Sequence, residues 1–314
     1  MATTQNLRGR FSNPLRRILA SSILGVVTLA LFLVTTGRSL GKLADYGIRY
    51  VMAFVMTNRD SGIVRSHSRG EFTNVFFLHR SVGHNLIEQG NVRALLGAEG
   101  YVFWDQGYNR DGLRDPNGDY LGYGYFVPRG NTDPDGLARI FSQPAVNWPL
   151  NTFSRLLQHE VIVFKSCFPV NNINTDDQLK QYQQWYLQIR DRMDQHPDKL
   201  FVVVTPPPLN SAVTNAAAAT RARLFSTWLT SDDYLAGHVN VVTFDLFDYL
   251  AVADSGAPES NMLRPDYRTG GDSHPNRVAN KTLGPIFVDF IIDAAQAYRN
   301  FHVSQPVEGA TVAR

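Results

Sequence analysis

Two short stretches hold residue types that could do chemistry together. One is Val75-Phe76-Phe77-Leu78-His79-Arg80-Ser81-Val82-Gly83, where an apolar run leads directly into a serine. The other, far down the chain, is Gly271-Asp272-Ser273-His274-Pro275-Asn276. A serine hydroxyl is a weak nucleophile until a neighbouring base takes its proton, and a histidine held by a carboxylate is such a base. Ser81 at a strand-to-helix junction would also have unpaired backbone N–H groups beside it to receive an oxyanion. Gly83, just beyond, would let backbone approach an acyl group closely. Taken singly, Ser81 reads as a helix cap and Asp272-Ser273-His274-Pro275 as a capped loop. Taken in this order, they point to acyl chemistry with Ser81 as nucleophile, His274 as base and Asp272 as the group that orients it.

These residues need elements that bring them to one edge of a sheet. Short apolar runs at Val75–Leu78, Tyr101–Trp104, Val161–Phe164, Leu200–Val204 and Val239–Phe244 read as strands, with unbroken apolar character expected of parallel strands covered on both faces. Helical stretches at 85–96, 175–195, 216–229 and 279–298 alternate with them, Pro275 starting the last. Such alternation predicts an α/β fold with a parallel, doubly wound sheet and helices on both faces, in which ligands sit outside the carboxyl ends of the strands. Asp105–Gly130 lacks periodicity, and its Tyr108, Tyr120, Tyr123 and Tyr125, with Trp104, are candidates to line a cleft. Asn131 to Gly136 looks like the start of a calcium loop, but its twelfth position is Ser142. Asp133 as a helix cap before Pro134 explains it better. His79 and His84 lack metal-ligand spacing, so no metal is expected. Cys167 is the only cysteine, which excludes an intrachain disulfide.

The net charge is +2 over 314 residues with no basic stripe, so nucleic acid is not an expected partner. Residues 18–36 contain no charge and are long enough to span a bilayer. Arg8, Arg10, Arg16 and Arg17 in the basic segment 1–17 would keep the N-terminus in the cytoplasm. The expected organisation is therefore a transmembrane anchor at 18–36 and a juxtamembrane helix with polar linker over 37–71. A globular domain over 72–301, outside the cytoplasm, and a disordered tail at 302–314 complete it. A cleaved signal peptide is the competing reading of the apolar segment.

The order of a strand-end serine, an asparagine after the third long strand and Asp-x-His-Pro before the last helix resembles the SGNH/GDSL hydrolase superfamily. The resemblance spans about residues 72 to 300. It implies a three-layer α/β/α flavodoxin-like sheet and cofactor-free hydrolysis of acyl esters, often acetyl, on small molecules, lipids or polysaccharides. Ser81 matches the first-block serine and His274 the last-block histidine. The leading Gly-Asp of the first block is His79-Arg80 here. Gly271 holds the usual acid position, with Asp272 one residue later, and Asp245 or Asp248 are the other candidates to orient His274. The resemblance further implies an oxyanion asparagine at Asn171 or Asn172 and a second-block glycine at Gly107. The expectation is a membrane-anchored serine esterase. An acyltransferase acting on a polysaccharide or lipid hydroxyl, or an inactive binding domain of the same fold, are the alternatives.

Overall fold

The computed structural model describes residues 40 to 304, except 110, 129, 149 and 254. Two compact units divide the chain, Met1–Val51 and Met52–Arg314. The described part of the first is the opening of a helix running from Leu40 to Ser66. The second holds the six strands found among the described residues: β1 (Asn74–Leu78), β2 (Val102–Gln106), β3 (Leu113–Arg114), β4 (Val161–Lys165), β5 (Leu200–Val204) and β6 (Val241–Phe244).

The strands form one sheet in the order β3-β2-β1-β4-β5-β6, parallel except for the two-residue β3. β1, β4 and β5 are buried at every residue, which is why their sequences are apolar without alternation. The pleat nevertheless sorts them. Phe76, Leu78, Ile162, Phe164, Phe201 and Val203 enter one core with Tyr186, Ile189, Phe225 and Leu229. Val75, Phe77, Val161, Val163, Val202 and Val204 enter a second core with Leu86, Leu283, Phe287 and Ile291. The first core is covered by helices Asp176–Met193 and Ala216–Thr230, the second by Ser81–Gln89 and Arg277–Ser304. That makes three layers, as the alternation of strands and helices predicts. Caps start the first pair: Thr175 Oγ1 accepts from Gln178 N–H and Asn215 Oδ1 from Ala218 N–H.

The chain leaves β1 for β2 on one side and returns to β4 on the other. The switch point therefore lies at the carboxyl ends of β1 and β4, where a crevice opens in sheets of this topology. Ser81 follows β1 at that point, as the first residue of its helix.

Several boundaries differ from the sequence reading. The helix after β1 starts at Ser81, not residue 85, and breaks at Gly90 before a second helix, Val92–Ala98, because Asn91 adopts a left-handed φ of 58°. Residues 58–66 are helical and not a linker: Val64 packs into the core, and Asn74 Nδ2 donates to its carbonyl. Pro275 is not the first helical residue. Asn276 caps the last helix instead, its Oδ1 accepting from Val278 and Ala279 N–H. That helix continues to Ser304, past the expected start of the tail at 302. The expected anchor at 18–36 and the basic segment 1–17 lie outside the described residues, as do tail residues 305–314. Among the described residues, no helix is long and apolar enough to cross a membrane.

The helix carrying Ser81 and the one that follows His274 touch at two glycines. A Cβ on Gly284 would lie 2.0 Å from the Gly90 carbonyl oxygen, and one on Gly90 2.7 Å from that of Asn280. Asn280 Nδ2 reinforces the contact by donating to Gln89 Oε1 at 2.9 Å. Because the obstacle is backbone, a side chain at 284 must push the helices apart. Gly284→Ala is expected to lower unfolding free energy by about 1–3 kcal/mol, the usual cost of overpacking. Urea denaturation checks this, and an unchanged midpoint would contradict the close approach.

Candidate active site

β1 delivers Ser81 to the sheet edge, and the loop before the last helix delivers His274. Ser81 Oγ lies 2.7 Å from His274 Nε2, and His274 Nδ1 lies 2.7 Å from Asp272 Oδ1. The partners assign the tautomer: Nδ1 carries the hydrogen and donates to the carboxylate, while Nε2 accepts from the serine hydroxyl. Asp272 Oδ1 also accepts from the His274 backbone N–H at 3.1 Å, which the two-residue spacing makes possible. Burial works to raise the Asp272 pKa, but the hydrogen bonds and charge of His274 outweigh it and hold the carboxyl below its ordinary value. The acid thus stays ionised opposite the imidazole. This pair is open to solvent, with the His274 side chain 30% and the Asp272 side chain 58% exposed.

Neither Asp245 nor Asp248 competes for that role. Asp245 accepts from Thr205 Oγ1 and caps the Asp248 N–H, while Asp248 pairs with Arg223. Two residues the sequence did not single out hold His274 and its loop in place. Phe168, just after β4, meets the His274 ring edge-on at 4.9 Å. Asn210, buried beyond β5, donates from Nδ2 to the Gly270 and Asp272 carbonyls, and its N–H donates to Ser273 Oγ.

Ser81 opens its helix, so the N–H groups of Ser81, Val82 and Gly83 precede the first helical hydrogen bond, His84 N–H to the Arg80 carbonyl. Those donors and the positive end of the helix are suited to an oxyanion. Gly83 does a different job from the one its position suggests. A Cβ there would lie 2.4 Å from His79 Cβ and 3.2 Å from Phe77 Cζ, so its missing side chain makes room for His79. The expected oxyanion asparagines also face elsewhere. Asn171 is buried and donates from Nδ2 to the Pro206 and Pro207 carbonyls, and Asn172 Oδ1 accepts from Thr214 Oγ1. With its amide hydrogens spent on two proline carbonyls, Asn171 fastens loops together. Gly107 lies beside the His79 ring, on the wall of a cavity.

That cavity, of about 320 Å³, holds Ser81 together with Arg80, His84, Tyr108, Arg114 and Tyr120. Of the aromatics that were candidates for a cleft, Tyr108 and Tyr120 line it, while Trp104, Tyr123 and Tyr125 belong to the core. The intervening loop is ordered by its own bonds, such as Leu113 N–H to the Tyr123 carbonyl and Tyr125 N–H to Gln106 Oε1. Burial, then the Arg114 charge, push the His84 imidazole below its ordinary pKa.

A second histidine–aspartate pair lies beneath. His79 Nε2 is 2.8 Å from Asp105 Oδ2, and its Nδ1 is 2.9 Å from the carbonyl of Arg80, the residue before Ser81. Both ring nitrogens face oxygens, so both can donate only from the doubly protonated ring. Arg93 closes the cluster on Asp105 Oδ1. Burial would raise the Asp105 pKa, but the His79 hydrogen bond and the His79 and Arg93 charges overcome it and leave it lowered. Among the described residues, no group of acids, histidines or cysteines is arranged to hold a metal ion.

No family model matches this chain, and no curated protein matches it. Solved structures align with this chain at 12% identity. One is described as a "putative acylhydrolase" from Bacteroides fragilis, with a TM-score of 0.43 over 70% of this chain and 87% of that one. Another is described as a "putative platelet activating factor" from Streptococcus pneumonia, with a TM-score of 0.44 over 81% of this chain and 100% of that one.

The buried cluster makes stability depend on pH in a definite direction. A carboxylate with a lowered folded-state pKa stabilises above its ordinary value of 3.8, and that contribution is lost as pH falls through the folded value. Asp105→Asn, which leaves Arg93 and His79 without their anion, is expected to cost about 3–5 kcal/mol at neutral pH. It should also flatten the loss of stability on acidification below about pH 4. Urea melts of both proteins at neutral and acid pH test this; parallel acid limbs would contradict it.

Proposed function

We propose that this protein is a serine esterase of the SGNH type, cleaving acyl esters through a covalent acyl-enzyme. The observation that carries the reading is the 2.7 Å hydrogen bond from Ser81 Oγ to His274 Nε2, with Asp272 on the far ring nitrogen. Ser81 Oγ attacks the ester carbonyl carbon while His274 Nε2 takes the hydroxyl proton. The carbonyl oxygen becomes an oxyanion against the N–H groups that open the Ser81 helix. As the tetrahedral intermediate collapses, the bond to the leaving oxygen breaks, and His274 gives that oxygen the proton. Water then repeats the sequence, releasing the acid and restoring the serine. Asp272 remains ionised throughout and steadies the imidazolium. No cofactor enters any step. The sheet order β2-β1-β4-β5-β6, with the nucleophile after β1 and the base before the last helix, supports the flavodoxin-like assignment. We further propose that residues 18–36 anchor the chain in the membrane with the esterase domain outside the cytoplasm.

Hydrolysis of a short-chain aryl ester tests the reading. Ser81→Ala and His274→Ala should each lose about three orders of magnitude or more in kcat, because nucleophile and base act as a unit. Asp272→Asn should lose less, about 10- to 100-fold, since water can solvate an imidazolium beside so exposed a carboxylate. Retained activity in Ser81→Ala would remove the mechanism. Product analysis with an added sugar acceptor separates hydrolysis from acyl transfer.

A further inference from the structure

The cations near the cavity differ in what neutralises them. Arg93 is paired with Asp105, and Arg114 with Glu88. Arg80 is held differently. Its Nε and Nη2 both donate to Asn131 Oδ1, a neutral acceptor, and its guanidinium lies over the Tyr108 ring at 4.2 Å. Asp133 feels its charge, but among the described residues no ion pair reaches Arg80. Asp111, on the same cavity wall, has partners of its own.

Asn131 is built for this task. It is fully buried, its segment is tied to the end of β4 by the Cys167 N–H to the Thr132 carbonyl, and its Nδ2 has no hydrogen-bond partner among the described residues. A buried amide with half its capacity unmet is costly, and such groups call for an explanation. Here its oxygen grips one edge of a guanidinium. The other end of the fork, with Nη1, is left without a protein acceptor among the described residues. A guanidinium clamped by an amide and a ring keeps its charge for a third party, and its fork suits two oxygens of one anion. Arg80 directly precedes Ser81, so an anion held there lies beside any ester bound at the serine.

We infer that Arg80 is the anion-recognition residue of this cavity, and that the substrate is an ester bearing a carboxylate or phosphate close to its scissile bond. The inference rests on the esterase reading. It is tested with aryl esters of matched reactivity: a neutral acetate, a hydrogen succinate with a carboxylate on the acyl side, and an acetate with a phosphate on the aryl ring. The wild-type protein should favour at least one charged ester over the neutral one by about 10- to 100-fold in kcat/KM, the range for a hydrogen bond to a charged group. Added salt should narrow that preference. Arg80→Met should abolish it, whereas Arg80→Lys should keep part of it. Equal rates for all three esters in the wild type, or a preference that survives Arg80→Met, would overturn the inference and leave the esterase reading intact. If no ester is hydrolysed, that reading falls, and calorimetry with inorganic phosphate decides separately: binding lost in Arg80→Met upholds the anion site, and no wild-type binding ends it. Should Arg80→Met fail to fold, competition by succinate against the neutral ester in the wild type decides, and no inhibition overturns the inference.

Discussion

The hydrogen bond between Ser81 and His274 joins residues 193 positions apart, and it forms only where three separate elements are held in register. β1 is sealed between β2 and β4 and cannot slide without breaking both ladders. The Ser81 helix is fixed on the last helix by the Gly90–Gly284 approach, where backbone meets backbone. The base loop is tied down from the side by Asn210. Packing of this kind tolerates little adjustment, so the geometry of the serine and its base is a property of the whole core and not of the loop alone.

Two histidine–aspartate pairs converge on the same turn, and burial gives them opposite characters. His274 and Asp272 are open to solvent. His79 and Asp105 are sealed in, joined by Arg93, and aimed at the carbonyl just before Ser81. Breaking such a buried cluster is costly, because a partner left alone would be a buried group without its counterpart. The cluster is suited to hold the Arg80–Ser81 peptide still. Gly83 belongs to the same device, since any side chain there would strike His79.

Much of this was legible in the sequence because its signals are local. Buried parallel strands announce themselves as apolar runs, and a serine after the first of them, with Asp-x-His before the last helix, marks a site. What escaped was set by tertiary partners. His79 beside Ser81 gives no sign of Asp105, which meets it only because β1 pairs with β2. Asn131 and Asn210 look like ordinary loop residues until their amide partners, distant in sequence, are in view. Asn171 sits at the expected distance after β4, yet the proline carbonyls that claim its amide come from a different strand end. The polar stretch at 58–66 reads as a linker because a buried apolar residue such as Val64, set among polar neighbours, is too sparse a pattern to signal a helix.

The proposed chemistry requires the Ser81 hydroxyl to be activated in solution. Mass spectrometry of the protein after exposure to a fluorophosphonate reads this directly, since such reagents trap a serine whose proton is being taken by a base. The account predicts one adduct per chain, on the peptide that contains Ser81. A folded protein that remains unlabelled, or that carries its adduct on another residue, would contradict it.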